Sequence, residues 1–120
     1  SYVPNYRMMK LVKNLSKNYR LVIFSGNVKE RIEYLEKRYH FLKYFDETVF
    51  SFDYNINKQK LDFYYELLAH IDCKPEEAIL IDDSWDNIRR AKKVGLNGVY
   101  FLYTKQLLKT LKKFGIKIKL

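Results

Sequence analysis

Apolar positions along this 120-residue chain change period several times, and each change marks a new element. In "RMMKLVKNLSK", Met8, Leu11, Val12 and Leu15 recur at helical spacing, with Pro4 and Asn5 as a start. "RLVIFS" is a short β run that ends in "SGN". "VKERIEYLEKRY" is helical again, with Ile32, Leu35 and Tyr39 on one face. "ETVFSF" reads as a second strand, and "KLDFYYELLAHI" as a helix stacking Leu61, Tyr64, Leu67 and Leu68. "EEAILIDD" is a third strand and "SWDNIRRAKKVG" a helix closed by Gly95. "GVYFL" is a fourth strand, "TKQLLKTLKKFG" a helix closed by Gly115, and the following "IKIK" a short edge strand. Strands alternating with helices predict a parallel sheet covered by helices on both faces. No linker, repeat or low-complexity stretch interrupts the pattern, so residues 1–120 read as one domain.

Composition narrows the classes. A chain of this length can bury one modest core. Cys73 is alone, so no internal disulfide is possible and a reduced, intracellular, cytoplasmic setting is expected. No apolar run approaches the ~18 to 20 residues of a membrane helix, and no signal-peptide pattern opens the chain, so no membrane partner is expected. Net charge is +9, from 23 Lys and Arg against 14 Asp and Glu. Such a balance can mark a partner that carries phosphates. The lysines are scattered rather than clustered, however, which reads as a general bias in composition. Nucleic-acid binding is therefore expected to be weak and salt-sensitive.

The strand ends carry the chemistry. In open parallel sheets, ligands bind at the carboxyl ends of the strands, where strand order switches. The first strand ends in Ser25, Gly26 and Asn27, and the third in Asp82 and Asp83. A hydroxyl followed by Gly at a strand-to-helix turn can present backbone N–H groups to an anion, helped by the helix N-terminus. Two carboxylates nearby would repel that anion unless a divalent cation lay between them. Mg²⁺ takes one or two carboxylates together with water and phosphate oxygens. "NINKQK" adds Lys58 and Lys60 just before a helix. Together these read as a site for a phosphate and its metal. Plainer readings compete: Ser25 as a helix cap, Lys58 as a solvated lysine with Lys60 its rival, and the acidic pair as a turn. A buried strand ending in clustered charge without a partner is costly, which argues against the last. His40 and His70 have no ligand-like spacing and read as surface or boundary residues, and Trp85 and Cys73 read as packing.

From "LVIFSGN" through "NKQKLDFYYELL" to "EEAILIDDSWDNIRRAKKVGLNGVYF", the chain resembles the haloacid-dehalogenase-like (HAD) superfamily, mostly Mg²⁺-dependent phosphatases. Motif two of that family, a hydrophobic strand ending in Ser or Thr, is matched by Ser25. Motif three is a Lys before a helix with an aromatic residue six positions on, matched by Lys58 and Tyr64, although Gln59 and Leu61 replace the usual prolines. Motif four, an acidic pair followed by Ser-x-x-Asn or Ser-x-x-Asp, is matched by "DDSWDNI". The resemblance implies a three-layer α/β/α Rossmann-like sheet. It also implies that Ser25, Gly26 and Asn27 hold phosphate, and that Lys58 neutralises charge on the transferring phosphoryl group. Asp83 would be the main ligand for Mg²⁺, Asp82 a second or outer one, and Asn87 a hydrogen-bonding support. The implied chemistry is attack by an Asp on phosphorus, followed by hydrolysis of the aspartyl-phosphate.

One part of the pattern is missing. The family's first motif, Asp-x-Asp on the central first strand, does not occur in this sequence. The chain is thus expected to be the C-terminal portion of such a core and inactive alone. Its nucleophile, aimed at a phosphomonoester or other phosphorylated small molecule, would come from a missing N-terminal segment, a separate segment or a second copy. The alternative is a non-catalytic HAD-like module that binds a protein or RNA partner. Without the central strand, a slot should lie between "RLVIF" and "AILID". Unsatisfied buried backbone groups cost about 1 to 3 kcal/mol each, so the slot is expected to be filled rather than open. Candidates for the filling strand are the C-terminal "IKIKL" of this or another copy, or a segment of a larger chain. Direct pairing of "RLVIF" with "AILID" is the rival outcome.

Overall fold

In the computed structural model, which describes residues 6–54 and 60–119, helices and strands alternate along the chain. Helix α1 (Tyr6–Leu15) leads to β1 (Val22–Ser25), α2 (Lys29–Tyr39) and β2 (Glu47–Phe50). A short turn of helix, α3 (Ser51–Tyr54), follows at once. Then come α4 (Leu61–His70), β3 (Ile79–Asp82), α5 (Trp85–Lys93), β4 (Asn97–Tyr100) and α6 (Thr104–Lys113). Helices α5 and α6 are followed by Gly95 at φ +94 and Gly115 at φ +83, left-handed positions where a side chain would be strained.

Three elements depart from the periodicity. The strand expected over "ETVFSF" stops at Phe50, because Ser51 opens α3 and the Phe52 ring folds back to stack on Phe50 at 5.0 Å. The strand expected over "EEAILIDD" begins only at Ile79, since Pro75–Glu77 form a 3-10 turn held by the Lys74 N–H on the Glu77 carboxylate at 3.1 Å. "IKIK" is not a strand. The Lys117 N–H donates to the Tyr19 hydroxyl at 2.9 Å and the Lys119 N–H to the Asn14 side chain at 3.0 Å. These bonds lay Ile116 and Ile118 against the cluster built by α1 and α6.

Strands β1 and β2 pair in parallel, Val22 opposite Glu47 and Ser25 opposite Phe50. Strands β3 and β4 also pair in parallel, Ile79 opposite Asn97 and Asp82 opposite Tyr100. Among the described residues these are two separate two-stranded sheets. Side chains alternate between faces along a strand, so neighbours in β3 serve opposite layers. Leu80 packs against the cluster of Phe63, Tyr64, Leu67, Ala91 and Val94 from α4, α5 and the turn after α5. Ile79 packs against Leu11, Leu15, Leu107 and Leu111 from α1 and α6. Val22 and Phe24 of β1 join the first cluster and Leu21 the second. The result is a three-layer α/β arrangement with parallel strands, in which the helical layers, rather than backbone pairing, tie the two sheets together.

Between β1 and β3 lies a cleft of about 830 Å³, lined by residues 21–27 on one wall and 78–83 on the other. Among the described residues β1 and β3 do not pair, and this chain's own "IKIK" lies beside α1 instead of between them, which leaves another copy or a segment of a larger chain as the candidates for the filling strand. The cost argued from the sequence applies to groups sealed from water. Here the walls are partly open. Ile81, in the middle of an apolar strand, is 36% exposed, and Val22, Ile23 and Leu80 are only half-buried. A residue in a packed sheet occupies roughly 160 Å³, from a rise of ~3.3 Å, a strand spacing of ~4.8 Å and a layer spacing of ~10 Å. The cleft therefore has the volume of about five residues of strand.

Candidate phosphate and metal site

The carboxyl ends of β1 and β3 open onto the same mouth of this cleft. Ser25 closes β1 and is buried, while Gly26 is exposed and Asn27 half-buried. The Ser25 hydroxyl accepts the Asn27 N–H at 3.1 Å, which bends the chain directly after the strand and ahead of α2. This is the short-range hydrogen bonding that suits Ser to turns. It brings the backbone of Gly26 and Asn27 to the lip of the cleft, with Ser25 behind them.

Across the cleft, Asp82 is the last residue of β3 and Ser84 caps α5, accepting the Asn87 N–H at 3.4 Å. Asp82 is well held. Its carboxylate accepts the Ser84 N–H at 2.9 Å and the Asn87 amide at 3.3 and 3.2 Å to its two oxygens. Asn87 is oriented in turn by Arg90, which donates to the Asn87 Oδ1 at 3.0 Å. Asp83 differs: it is exposed, and among the described residues its side chain makes no hydrogen bond or ion pair. One carboxylate is thus fixed by the fold while its neighbour remains open to a ligand.

Tyr64, the aromatic matched to motif three, adds a buried polar group within electrostatic reach of Asp82. Tyr64 is fully buried, and its hydroxyl has no hydrogen-bond partner among the described residues. Burial pushes the phenol up to about 12; the Asp82 charge adds to this, while Arg90 opposes it without meeting hydrogen-bond geometry at the hydroxyl.

Of the residues singled out from sequence, Ser25, Gly26, Asn27, Asp82, Asp83 and Asn87 all line the one cleft. Lys58 lies outside the described residues. Its rival Lys60 is exposed just before α4 and does not line the cleft. No group of three or more His, Cys, Asp or Glu side chains close enough to hold a metal occurs among the described residues. Two adjacent carboxylates supply part of an oxygen shell, and that suits Mg²⁺, which completes its shell with water and phosphate oxygens. The donor set fits such an ion.

The sequence profile of the haloacid dehalogenase-like hydrolases matches residues 3–101. The chain belongs to that family. It is 43% identical over 70 residues to an uncharacterized Dictyostelium discoideum protein, covering 58% of this chain and 30% of that one. It is 33% identical over 57 residues to an Arabidopsis thaliana protein named flavin mononucleotide hydrolase 1, covering 48% of this chain and 23% of that one. The matched stretches thus span under a third of either relative. In fold, this HAD-like chain is similar to an HAD phosphatase from Thermococcus onnurineus, with TM-score 0.77, 21% identity and coverage of 89% and 57% of the two chains. It is also similar to a Bacillus subtilis protein solved with magnesium bound, with TM-score 0.73, 19% identity and coverage of 78% and 42%. No helix among the described residues is long and apolar enough to cross a membrane.

Three side chains sit differently from their sequence readings. Cys73, read as packing, is exposed. His70 is more than a boundary residue: its Nε2 meets the Tyr54 hydroxyl at 2.8 Å, and its Nδ1 closely meets the Glu47 carboxylate. Arg20 meets the other Glu47 oxygen at 2.6 Å. The available signal was weak, namely that His70 falls one turn after buried Leu67 on α4. Trp85, also read as packing, is 55% exposed and stacks flat on Tyr100, with ring centroids 4.2 Å apart and planes 4° from parallel. Its spacing to Ile88 is helical, but it is the first residue of α5, and it stacks on Tyr100, the last residue of β4.

Proposed function

We propose that this chain supplies the phosphate- and Mg²⁺-binding side of a phosphomonoester hydrolase site. The supporting observation is the convergence of Ser25, Gly26 and Asn27 with Asp82, Asp83 and Asn87 on the mouth of one cleft, although the two groups are far apart in sequence. In this reading the Ser25 hydroxyl and the Gly26 N–H take the phosphate oxygens, the Asn27 N–H being turned onto the Ser25 hydroxyl, and Lys58 offsets their charge. Asp83 is the accessible metal ligand. Asp82 is the second or outer one, held in place by Asn87 and the Ser84 N–H. Mg²⁺, when bound, supplies Lewis-acid polarisation of the phosphoryl group and charge neutralisation. The nucleophilic Asp arrives on a strand that occupies the cleft between β1 and β3, from another segment or a second copy. The volume of the cleft, about five residues of strand, supports this. The substrate is a phosphorylated small molecule, in keeping with the name of the Arabidopsis relative. An intracellular, cytoplasmic setting fits the lone cysteine.

The test is turnover of an aryl phosphate with Mg²⁺. The chain alone should give negligible hydrolysis, since it has no Asp-x-Asp. Adding a hydrophobic strand peptide that carries Asp-x-Asp should produce Mg²⁺-dependent turnover, and Asp83→Asn should abolish it. Robust turnover by the chain alone that disappears in Asp83→Asn would place the nucleophile within the chain and overturn the reading. A peptide that binds the cleft without any turnover would favour a non-catalytic module.

A further inference from the structure

Beside the carboxylates lies a feature the phosphate site does not use. Trp85 is stacked by one face on Tyr100 at 4.2 Å, yet the indole is 55% exposed. A flat ring with one face covered and over half its surface open presents its other face to solvent. Leu102 and Tyr103, just beyond β4 in sequence, are also 61% and 59% exposed. The position is fixed by the sheet: Tyr100 is the register partner of Asp82, so the stack stands one strand over from the carboxylates, at the same end of the strands. The cleft lies on the opposite flank of β3. Neighbouring strands are ~4.8 Å apart, so the stack and the phosphate position are separated by about two strand spacings, roughly 10 Å.

We propose that Trp85, backed by Tyr100, is a specificity-determining platform for the leaving group of the substrate. The class it selects is a phosphomonoester whose flat aromatic ring system is carried on a spacer that sets it roughly 10 Å from phosphorus. A small ester, or one with its ring joined directly to the phosphate, does not reach. The inference rests on the phosphate-site reading above. The Tyr100 ring contributes by holding the indole from one side with its other face open, so little conformational freedom is lost when a second ring stacks on it.

The experiment is calorimetric titration of the full chain with Mg²⁺ and three probes: inorganic phosphate, phenyl phosphate, and FMN, whose ring is separated from phosphate by a five-carbon chain. Trp85 is the chain's one tryptophan, so its fluorescence reports contact at the platform directly. FMN should bind about tenfold or more tighter than the other two, as expected from stacking on an exposed aromatic. Trp85→Ala should remove that increment and Trp85→Phe should keep most of it, with inorganic phosphate binding equally to all three proteins. Equal affinities for FMN and inorganic phosphate would overturn the inference while leaving the phosphate site standing. So would an FMN increment that survives Trp85→Ala, or riboflavin, which has no phosphate, binding as tightly as FMN. Binding of none of the phosphates would overturn the phosphate-site reading, and this inference with it.

Discussion

Gly98→Ala tests how closely α5 must approach the sheet for the site to form. Gly98 lies in β4 opposite Leu80, and a Cβ there would meet the Ile88 Cγ2 at 2.8 Å. The Ile88 backbone oxygen and the Lys92 Cε would stand at 3.5 Å. Contacts under 3.0 Å force a shift, and Ile88 has little freedom to give: it is 1% exposed, and its β-branched side chain has a strongly preferred rotamer in a helix. Either Ile88 leaves that rotamer or α5 lifts from β4, and overpacking of this kind costs about 1 to 3 kcal/mol. Replacing Gly by Ala returns about 0.4 to 1 kcal/mol through the unfolded chain. The net loss should be about 1 to 2 kcal/mol, or a fall in Tm of roughly 4 to 10 °C for a domain of this size. Urea and thermal denaturation read the effect. Ile88→Ala alone should cost about 2 to 4 kcal/mol as a cavity. It also removes the clashing methyl, so the double variant should be more stable than the sum of the singles by about 1 kcal/mol. A Gly98→Ala protein as stable as the parent, or a strictly additive cycle, would refute the reasoning. Since α5 also carries Asn87 and Trp85, the same substitution should loosen the Asp82 network.

Other outcomes follow from particular groups. The Glu47 carboxyl is held below the usual carboxylate range, chiefly by its hydrogen bond with His70, with the charges of His70 and Arg20 adding and burial opposing. A depressed folded pKa contributes stability above the unfolded carboxylate value of about 4.3 and loses it as pH falls through the folded value. Urea midpoints should therefore drop more steeply below about pH 4.3 in the parent than in Glu47→Gln, and parallel curves would count against the network. Tyr64→Phe should be neutral or stabilising by up to about 1 kcal/mol, because it deletes a buried hydroxyl without a partner among the described residues. A clear destabilisation would show that the hydroxyl is satisfied. RNA should bind weakly and be released as salt rises to physiological values, despite the +9 charge. Salt-resistant, sequence-specific binding would promote the module reading over the enzyme one.

The alternation of elements, the parallel strands and the polar groups that end β1 and β3 were legible in the residues, because each leaves a short-range pattern in the sequence. Helical and β periods differ over a few residues, and "AILIDD" and "VIFSGN" join an apolar run to polar groups within one turn. Family membership was legible for the same reason, since three short motifs in order suffice. What the neighbours of a residue do was not. Asp82 and Asp83 are adjacent and chemically alike, yet Asn87 and the Ser84 N–H hold one and leave the other open, a distinction set by how the turn at Ser84 enters α5. Trp85 keeps the helical spacing of a core residue but is 55% exposed, stacked on Tyr100 at the end of β4. "IKIK" has the alternation of a strand, but finds hydrogen bonds on Tyr19 and Asn14 and apolar cover from α1 and α6. The cleft itself is a tertiary property: the two helical layers pack across both sheets, while β1 and β3 do not pair with each other among the described residues.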